Sequence, residues 1–384
     1  MRIVNLGDIA TYINGYAFKP TDWETEGLPI IRIQNLNNPK QEFNYFKGNI
    51  ADKYVVRHGD ILISWSASIG VFEWDREDAV LNQHIFKVVF DKEKINKTYF
   101  KFMVSIALDK AMQYMHGSTM KHITKGYFDA IPVPVPDLKI QEKIAQILKK
   151  SQELLNTRKE QLQACDELIK SQFIEMFGDP VTNPKSWDKL SLAELSELIT
   201  KGASPNWQGI EYVDDSTQTL FVTSENVREG YLDLTKTKYL QNEFNEKQKR
   251  SVLRKGDFLI NIVGASIGRA AQFNLDCTAN INQAVALVRV KQGLLNDKYL
   301  LTYLNSPKAL QMYETMQVSV ARANLSLQNI SDLEILVPPI ELQNQFAEFV
   351  QQVDKLKFEM EQSLIELENN FNSLMQRAFK GELF

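Results

Sequence analysis

The side chains best suited to catalysis in this sequence are two aspartates and four histidines. Asp60 and Asp257 each follow a glycine and open an apolar run. A carboxylate there could act as a general acid or base, but Asp in a Gly-Asp turn commonly bonds its own backbone, and we favour that structural interpretation. The histidines are His58, His84, His116 and His122. They lack the spacing of metal ligands, and the second half of the chain has none, so a histidine-based or metal-dependent enzyme is disfavoured.

Two further motifs are similar to known binding signatures. The run 183–187, Asn-Pro-Lys-Ser-Trp, is similar to the Asn-Pro-Pro-aromatic signature of amino-methyltransferases, but it lacks the second proline. No glycine-rich strand-turn-helix for a methyl donor accompanies it, so a linker is favoured. The run 264–269, Gly-Ala-Ser-Ile-Gly-Arg, lacks the Lys-Ser/Thr pair of a phosphate loop and is interpreted as a turn between strands.

Polar and aromatic loops at matched positions in the two halves are the remaining candidates for function. In the first half the candidate residues are Tyr16, Phe18, Lys19, Asn35, Ser118, Thr119, Lys121, His122 and Lys125. In the second half they are Ser204, Asn206, Trp207, Asn226, Ser319, Arg322 and Asn324. Such side chains suit phosphate and base-edge hydrogen bonds. Each one taken singly is equally compatible with an ordinary solvated loop, and it is their repetition that favours a binding surface.

The elements that must position these loops are also repeated. In the first half, Leu6, Ile9 and Ile13 predict a short amphipathic helix closed by Gly15. A strand, a Gly-Asp strand, a Ser-Ile-Gly turn, an Asn-Gln pair, another strand and a long helix follow. The second half runs through the same order about 200 residues later, with loops of different length and sequence. Where a frame is repeated and its loops differ, the loops are the expected carriers of specificity.

Two long segments, 137–178 and 340–384, carry an apolar residue about every seven positions and few helix breakers. This spacing predicts coiled-coil-like helices, each roughly 60 Å long. The predicted packing and partner-binding positions are Leu148, Leu155, Leu162, Ile169, Phe346, Val353, Met360, Leu367 and Leu374. Each helix follows a proline and then places Gln141 or Gln343 in its first turns, which marks the two helices as copies of one device.

Composition is that of a soluble globular protein, with 384 residues and a formal net charge of −4. That charge argues against a general polyanion binder and leaves room for local basic patches. The two cysteines, Cys165 and Cys277, lie in different segments, so we expect neither a disulfide framework nor a zinc cluster. The sequence shows no signal peptide and no membrane-spanning run, and a reducing cytoplasm is the expected location.

We therefore predict an α+β protein in which two similar domains, each a mixed β-sheet with helices, are separated by two long antiparallel helices in a pseudo-twofold arrangement. The predicted segments are domain 1 (1–136), a central helix (137–178), a linker (179–186), domain 2 (187–339) and a C-terminal helix (340–384).

This pattern resembles the DNA-specificity (S) subunits of Type I restriction–modification systems, and the resemblance covers essentially the whole chain. Four features carry it: the Gly-Asp-hydrophobic strands at 59–62 and 256–259, the Ser-Ile-Gly turns, the Pro-x-x-x-x-Gln helix starts, and the terminal run 378–383.

The resemblance implies that each domain reads one half of a bipartite double-stranded DNA target while the helices act as a ruler and bind two methyltransferase subunits. S-adenosylmethionine, ATP and Mg²⁺ would belong to the methyltransferase and motor-nuclease partners, and this chain would be non-catalytic. Two alternatives from other classes remain open at this point. They are a coiled-coil scaffold with two protein-binding heads, and a fused DNA methyltransferase or nuclease.

Overall fold

A computed structural model describes residues 1–38, 40–66, 68–114, 123–315 and 324–384. The chain forms two compact units. Unit 1 consists of Met1–Lys159 and Gln362–Phe384, and unit 2 of Glu160–Glu361. Each unit combines small mixed or antiparallel sheets with helices, which confirms the predicted α+β class.

Unit 1 begins with a short strand and a one-turn helix. Its strands are β1 (Arg2–Asn5), β2 (Thr11–Asn14), β3 (Leu28–Ile31), β4 (Asn44–Phe46), β5 (Val55–Val56), β6 (Ile61–Ser64), β7 (Gly70–Glu73), β8 (Ala79–Leu81), β9 (Ile85–Val89) and β10 (Pro132–Val135). Its helices are α1 (Leu6–Ile9), α2 (Ile33–Asn37), α3 (Lys97–Tyr114), α4 (Lys125–Asp129) and the first part of α5 (Leu138–Phe177).

The strands of unit 1 form two four-stranded sheets and one two-stranded ribbon. The first sheet has the order β2-β9-β6-β7 and is antiparallel throughout. The second has the order β4-β3-β8-β5, in which β3 and β8 run parallel. All four residues of β6 are buried, as expected for a central strand covered on both faces. The Gly-Asp strand predicted from the sequence is therefore the middle of the main sheet.

One local prediction for unit 1 was wrong. Leu6 and Ile9 lie in the four-residue helix α1, but Ile13 lies in β2, which pairs with β9. The chain leaves the helix at Ala10, which is extended. The apolar spacing fits a helix, but pairing with β9 supplies backbone partners that one more helical turn would not, and the tertiary contact prevails.

Unit 2 repeats this order of elements. Its strands are β11 (Asp188–Ser191), β12 (Ser196–Lys201), β13 (Tyr212–Val213), β14 (Thr219–Val222), β15 (Tyr239–Leu240), β16 (Phe258–Asn261), β17 (Ala270–Gln272), β18 (Ala279–Ile281), β19 (Val285–Val290) and β20 (Glu334–Val337). Its helices are α6 (Leu192–Leu195), α7 (Glu243–Lys247), α8 (Asp297–Leu304), α9 (Pro307–Thr315), α10 (Leu327–Ser331), the last part of α5 and the first part of α11 (Ile340–Lys380), whose last part belongs to unit 1.

The main sheet of unit 2, β12-β19-β16-β17, has the same topology as that of unit 1. The second sheet has the order β13-β15-β14-β18, and its parallel pair β14–β18 corresponds to β3–β8. It differs at both edges. Strand β13 has been added at one edge, and at the other the counterpart of β5 is reduced to a single bridge between Val252 and Asn280.

The two long helices are continuous, at 40 residues for α5 and 41 for α11. In unit 1, the start of α5 and the end of α11 share one core with the main sheet and α3, through Leu148, Met375 and Ala378. In unit 2, Phe173 and Phe177 near the end of α5 pack on Phe346 near the start of α11. Within each unit the helices run antiparallel, as predicted. Inside the described ranges, none of the helices combines the length and apolar character that crossing a lipid bilayer requires.

Candidate nucleic-acid interface

The first loop of each unit starts at a glycine pressed against the backbone of the Asn-Gln turn. A Cβ on Gly15 would lie 2.1 Å from the Asn82 carbonyl oxygen, and one on Gly202 would lie 1.8 Å from that of Ile281. Neither distance leaves room for a side chain, so only glycine permits this approach. The loops that carry the first group of predicted binding residues in each unit therefore start from the same fixed point.

A carboxylate–cation pair ties the Gly-Asp turn to the neighbouring strand in both units. In unit 1, Lys87 Nζ lies 3.0 Å from Asp60 Oδ2 and donates to the Val55 carbonyl at 2.6 Å. In unit 2, Arg289 donates two hydrogen bonds of 2.7 Å to Asp257. Each aspartate also accepts a backbone N–H three residues earlier. These contacts support the structural interpretation of both carboxylates.

A buried glutamine fixes the start of each long helix in the same way. The Gln141 amide accepts from the Asn96 backbone N–H at 2.9 Å and donates to the Pro136 carbonyl at 2.8 Å. Gln343 makes the same two bonds with Asn296 and with Pro338, both at 2.8 Å. Each domain helix is thus joined to the first turns of a long helix.

A buried tyrosine reinforces that junction in each unit. Tyr99 and Tyr299 donate their hydroxyls to the carbonyls of Pro134 and Leu336. Burial raises the pKa of both phenols above the usual range. They therefore remain neutral donors across the physiological pH range.

The first loop of unit 1 is folded onto itself. The Tyr16 ring packs edge-on against Phe18 and Tyr54, with centroids 5.0 and 5.6 Å apart. Phe18 is buried in a small core and contacts Phe46. Lys19 is exposed and is followed by a 3-10 turn. Of these predicted residues, Tyr16 and Lys19 face solvent, whereas the Phe18 ring is buried and packs against Tyr16.

The first loop of unit 2 has a different form. Pro205 opens a 3-10 turn over Asn206–Gln208, and Gly209 closes it in the left-handed region at φ +68°. Ser204 is half-buried, and Asn206 and Trp207 are exposed. The structure therefore places these three predicted residues on one ordered turn.

Asn35 and Asn226 lie at matched points, but both are buried and bonded within their own loops. Asn35 donates to the carbonyls of Gln41 and Glu42, and Asn226 donates to those of Asp233 and Lys236. Their side-chain oxygens accept backbone N–H groups three residues earlier. Because these bonds use both the oxygen and the nitrogen of each amide, the two asparagines stabilise their own loops. Their side chains are not free to contact a ligand.

Most of the predicted helix-end residues lie outside the described part of the chain. These are Ser118, Thr119, Lys121, His122, Ser319 and Arg322. Lys125 is exposed and lies 2.8 Å from Asp129, and Asn324 is exposed and bridges Val263 through its backbone. After these segments the chain returns to the main sheet at equivalent positions in the two units. The Ile123 N–H donates to the Trp65 carbonyl, and the Leu325 N–H donates to the Ile262 carbonyl.

Two sets of polar residues beside the unit 2 loop were missed by the sequence analysis. The first set, Tyr212, Thr223, Lys238 and Gln283, lines a cleft of about 170 Å³ together with the predicted residue Ser204. The second is the exposed basic run Lys247, Lys249 and Arg250. The basic run is visible in the sequence as a local excess of cations, whereas the cleft depends on tertiary contacts between β13, β14, the Asn-Gln turn and the first loop.

The loop of unit 2 that holds Asn226 also carries an ion pair. Arg228 lies 3.2 Å from Asp233, and the Thr235 hydroxyl donates to the same carboxylate at 2.6 Å. The hydrogen bonds from Thr235, helped by Arg228, keep the pKa of Asp233 below its usual range. The loop therefore retains a charged carboxylate and a paired arginine. Across the described residues, no three His, Cys, Asp or Glu side chains cluster as a metal site requires.

The predicted packing positions of the long helices are all buried or half-buried. Leu148, Leu155, Phe346 and Val353 are buried, and Leu162, Ile169, Met360, Leu367 and Leu374 are half-buried. Other apolar residues of the same helices are exposed, among them Leu154 and Ile365 in unit 1 and Ile174, Leu356 and Phe358 in unit 2. Packing within each unit therefore leaves part of the apolar surface of the helices uncovered.

Comparison with known proteins places this architecture in one family. The family model described as the Type I restriction modification DNA specificity domain matches residues 1–164 and again residues 184–369. The chain is 24% identical to the EcoBI specificity subunit of Escherichia coli, over 99% of this chain and 85% of the relative. It is 22% identical to the MjaVIII specificity subunit of Methanocaldococcus jannaschii, over 92% and 86%.

Solved structures show the same fold. A chain from a structure of type I restriction–modification complex assembly has a TM-score of 0.61 at 17% identity, covering 100% of this chain and 98% of that chain. The S subunit from M. genitalium has a TM-score of 0.52 at 13% identity, covering 98% and 96%. With both halves matched by the family model on a duplicated frame, this chain belongs to the Type I restriction–modification DNA specificity family and is a specificity subunit.

Proposed function

We propose that the chain recognises a bipartite double-stranded DNA target, with unit 1 reading one half-site and unit 2 the other. The observation that carries this proposal is the repetition of the frame contacts around unlike loops. The glycine anchor, the carboxylate–cation pair and the buried glutamine recur in both units. The first loops differ in length, conformation and exposed side chains. A repeated frame with different loops suits two readers of different sequence.

Catalysis belongs to other chains in this proposal. Two methyltransferase subunits would supply adenine methylation with S-adenosylmethionine, and motor-nuclease subunits would supply ATP hydrolysis and Mg²⁺-dependent cleavage. The specificity subunit contributes sequence selection, and its two most enzyme-like carboxylates, Asp60 and Asp257, are committed to ion pairs within the fold. The formal charge of −4 implies that much of the phosphate neutralisation comes from the partner subunits.

The exposed apolar residues of the long helices are the proposed docking surface for the methyltransferase subunits. In unit 2, Ile174 and Phe358 border a groove of about 850 Å³ that also contains Lys298, Asp354 and Lys357. Phe358 in this groove is 61% exposed. Aromatic side chains, including Phe, are enriched in protein–protein interfaces.

A substitution in this groove tests the docking proposal. Phe358→Lys should weaken association with the methyltransferase subunits by at least about tenfold, since an aromatic side chain that docking would bury is replaced by a charge. Gln351→Lys, an exposed position on the same helix, is the charge-matched control and should have no effect. Equal affinities for the two variants, measured by isothermal titration, would place the docking surface elsewhere.

Helix length is the proposed determinant of the spacer between the half-sites. Inserting seven residues after Lys159 and seven after Glu361 lengthens each helix by about 10 Å, which corresponds to about three base pairs. The selected spacer should grow accordingly. An unchanged spacer in a binding-site selection would remove the ruler from the proposal.

Mapping of modified adenines tests the central proposal. The chain is co-expressed with its neighbouring methyltransferase, and genomic DNA is sequenced for N6-methyladenine. We expect one bipartite motif with a fixed spacer. Replacing residues 1–136 by the equivalent domain of another specificity subunit should change one half of the motif only. Alteration of both halves would contradict independent reading, and methylation by the purified chain alone would contradict the non-catalytic assignment.

A further inference from the structure

The most exposed large apolar side chain of the described structure is the indole of Trp207, which is 92% accessible. It does not lie on a loosely held loop. The Pro205 carbonyl accepts from the N–H groups of Gln208 at 2.9 Å and Ile210 at 3.2 Å, and Lys247 Nζ donates to the Gln208 carbonyl at 2.6 Å.

The end of the turn is also fixed by packing. Ile210 is buried in a small core with Phe221, Leu240 and Phe244. The backbone around Trp207 is thus held on both sides while its ring remains in solvent. An indole carries roughly 150–250 Å² of mostly apolar surface, so holding it outside every core prepares it for a ligand.

The charges beside the turn indicate the chemistry of that ligand. Lys247 bonds the turn directly, and Lys249 and Arg250 follow it, all three exposed. Glu243 and Glu246 lie on the same short helix, so the cations are concentrated at its end and in the next turn. A flat aromatic face on a turn that Lys247 bonds, with two more exposed cations within three residues of that lysine, suits a polyanion with flat faces of its own, and the proposed function makes DNA that ligand.

Unit 1 provides an internal contrast at the same loop. Its indole, Trp23, follows the 3-10 turn Pro20–Asp22 and is 40% exposed. The Arg32 guanidinium lies 5.3 Å from the centre of the Trp23 ring. The neighbouring Tyr16 ring is also occupied, by Phe18 and Tyr54. Trp23 is already engaged by a side chain of its own unit, whereas Trp207 stands free of the cores around it.

We propose that Trp207 inserts its indole against a base step in the half-site read by unit 2 and partly unstacks it, and that Trp23 of unit 1 does not. The inference rests on the proposed function and adds an asymmetry to it: one half-site is read with a stacking wedge and the other without. Because stacking requires a ring and releases no counterions, its loss affects affinity and base exposure but leaves the salt dependence of binding unchanged.

The test uses the complex of the full chain with its methyltransferase subunits and duplexes carrying the mapped target. 2-Aminopurine, whose fluorescence rises when it is unstacked, replaces one at a time the adenines of both half-sites other than those that are methylated. The methylated adenines are left in place because a methyltransferase extrudes its target base and would brighten that position without Trp207. With the wild-type chain we expect one bright position, and with Trp207→Ala that signal is lost and affinity falls about 5- to 150-fold. Trp207→Phe should keep most of the fluorescence signal and most of the affinity. Trp23→Ala, the matched control, should keep the bright position.

Salt titrations separate stacking from phosphate contact. The slope of log affinity against log salt should be the same for Trp207→Ala and wild type, and should fall by about one for Lys249→Gln or Arg250→Gln. Trp207 makes few contacts in its own unit, so an unchanged melting temperature verifies that its variants are folded.

Four results would overturn the inference. The first is a DNA affinity of Trp207→Ala within twofold of wild type, and the second is low 2-aminopurine fluorescence at every position with the wild-type chain. The third is that Trp207→Ala no longer binds the methyltransferase subunits in the absence of DNA. The fourth is a salt slope for Trp207→Ala that is smaller than that of wild type. Failure of the wild-type complex to bind any bipartite target would instead overturn the proposed function, and this inference with it.

Discussion

Asp60 and Asp257 immediately precede the equivalent strands β6 and β16, but one pairs with a lysine and the other with an arginine. Lys87 reaches Asp60 with a single nitrogen, and both side chains keep some contact with solvent. Arg289 binds Asp257 through two nitrogens, and the carboxylate is only 1% exposed. Both units have an ion pair at this position, although the cation differs. What the frame requires is therefore a link between the Gly-Asp turn and the neighbouring strand.

The units differ more where loops and helices meet the main sheet. In unit 1 the domain helix α3 runs unbroken over 18 residues, whereas in unit 2 it is divided into α8 and α9. At the end of the central strand, Ser64 in unit 1 donates to the Ser68 carbonyl. Its counterpart Asn261 donates to the carbonyls of Ser224 and Val227. In unit 2, Asn261 thus anchors the loop that carries Asn226 to the central strand. The two units therefore differ in the loops and helices around the main sheet and share the sheet itself.

Removing the charge of the paired aspartates should show the largest difference between the units. Asp257→Asn leaves Arg289 mostly buried without its counter-charge and should destabilise unit 2 by about 3–5 kcal/mol. Asp60→Asn should destabilise unit 1 by only about 1–2 kcal/mol, because the Asp60 side chain is 24% exposed and its pair is partly screened by water, whereas Asp257 is 1% exposed. Hydrogen exchange read by mass spectrometry reports each unit separately. Equal losses would mean that the two pairs are equivalent in energy as well as in place.

Adding a methyl group at the anchor glycines should affect both units alike. Gly15→Ala and Gly202→Ala place a Cβ about 2 Å from a carbonyl oxygen, and we expect each to cost about 3 kcal/mol as the backbone shifts. Gly126→Ala is the control, because a Cβ at Gly126 meets nothing within 4 Å and the residue lies in α4. The control should be neutral or stabilising by up to about 1 kcal/mol. Thermal melts of the three variants would decide, and tolerance of Gly202→Ala would contradict the fixed starting point.

The buried glutamines provide a test in which the units should be indistinguishable. Gln141→Leu and Gln343→Leu each remove two hydrogen bonds and leave a backbone N–H and a carbonyl unpaired. Each should cost about 1–3 kcal/mol, with faster exchange at Asn96 in one variant and at Asn296 in the other. A clear difference between the two costs would break the equivalence of the junctions.

The smallest expected effect concerns two carboxylates that accept from threonine hydroxyls. The Thr11 bond lowers the pKa of Asp91 in the frame of unit 1, and the Thr235 bonds lower that of Asp233 in a loop of unit 2. Thr235→Val should raise the pKa of Asp233 towards its usual value and leave that of Asp91 alone. Thr11→Val should do the reverse.

Carboxyl ¹³C shifts in aspartate-labelled protein provide the measurement for both variants. Because a lowered pKa contributes stability above the unfolded-state pKa and loses it as pH falls through the folded value, each variant should lose stability at neutral pH and not at strongly acidic pH. If the pKa of Asp233 is unchanged in Thr235→Val, the Thr235 hydroxyl is not the cause of its lowered pKa.

Much of the frame could be predicted because its signals are periodic or repeated. The seven-residue spacing identified the helices that run over 138–177 and 340–380. The repeated Gly-Asp pairs identified the central strands β6 and β16. These features depend on local sequence, and duplication supplied a second copy of each as a check.

The parts that escaped prediction depend on contacts distant in sequence. Ile13 follows helical spacing but belongs to β2, because pairing with β9 decides its backbone. Asn35 looks like an exposed polar residue at a strand end, but its loop folds back and uses its amide. The contrast between Trp23 and Trp207 is equally hidden, since it depends on Arg32 covering one indole and on the turn that displays the other. Burial of single polar or aromatic side chains is a tertiary property.

The most direct test of a shared frame with interchangeable readers is a chain with two copies of one reader. Residues 2–135 replace residues 188–337, which preserves both long helices and the glutamines that anchor them. The chimera is co-expressed with the methyltransferase partner, and modified adenines are mapped across the genome. The account predicts a target in which the half-site of unit 1 appears twice and that of unit 2 is gone; a folded chimera that still methylates at the unit 2 half-site would contradict it.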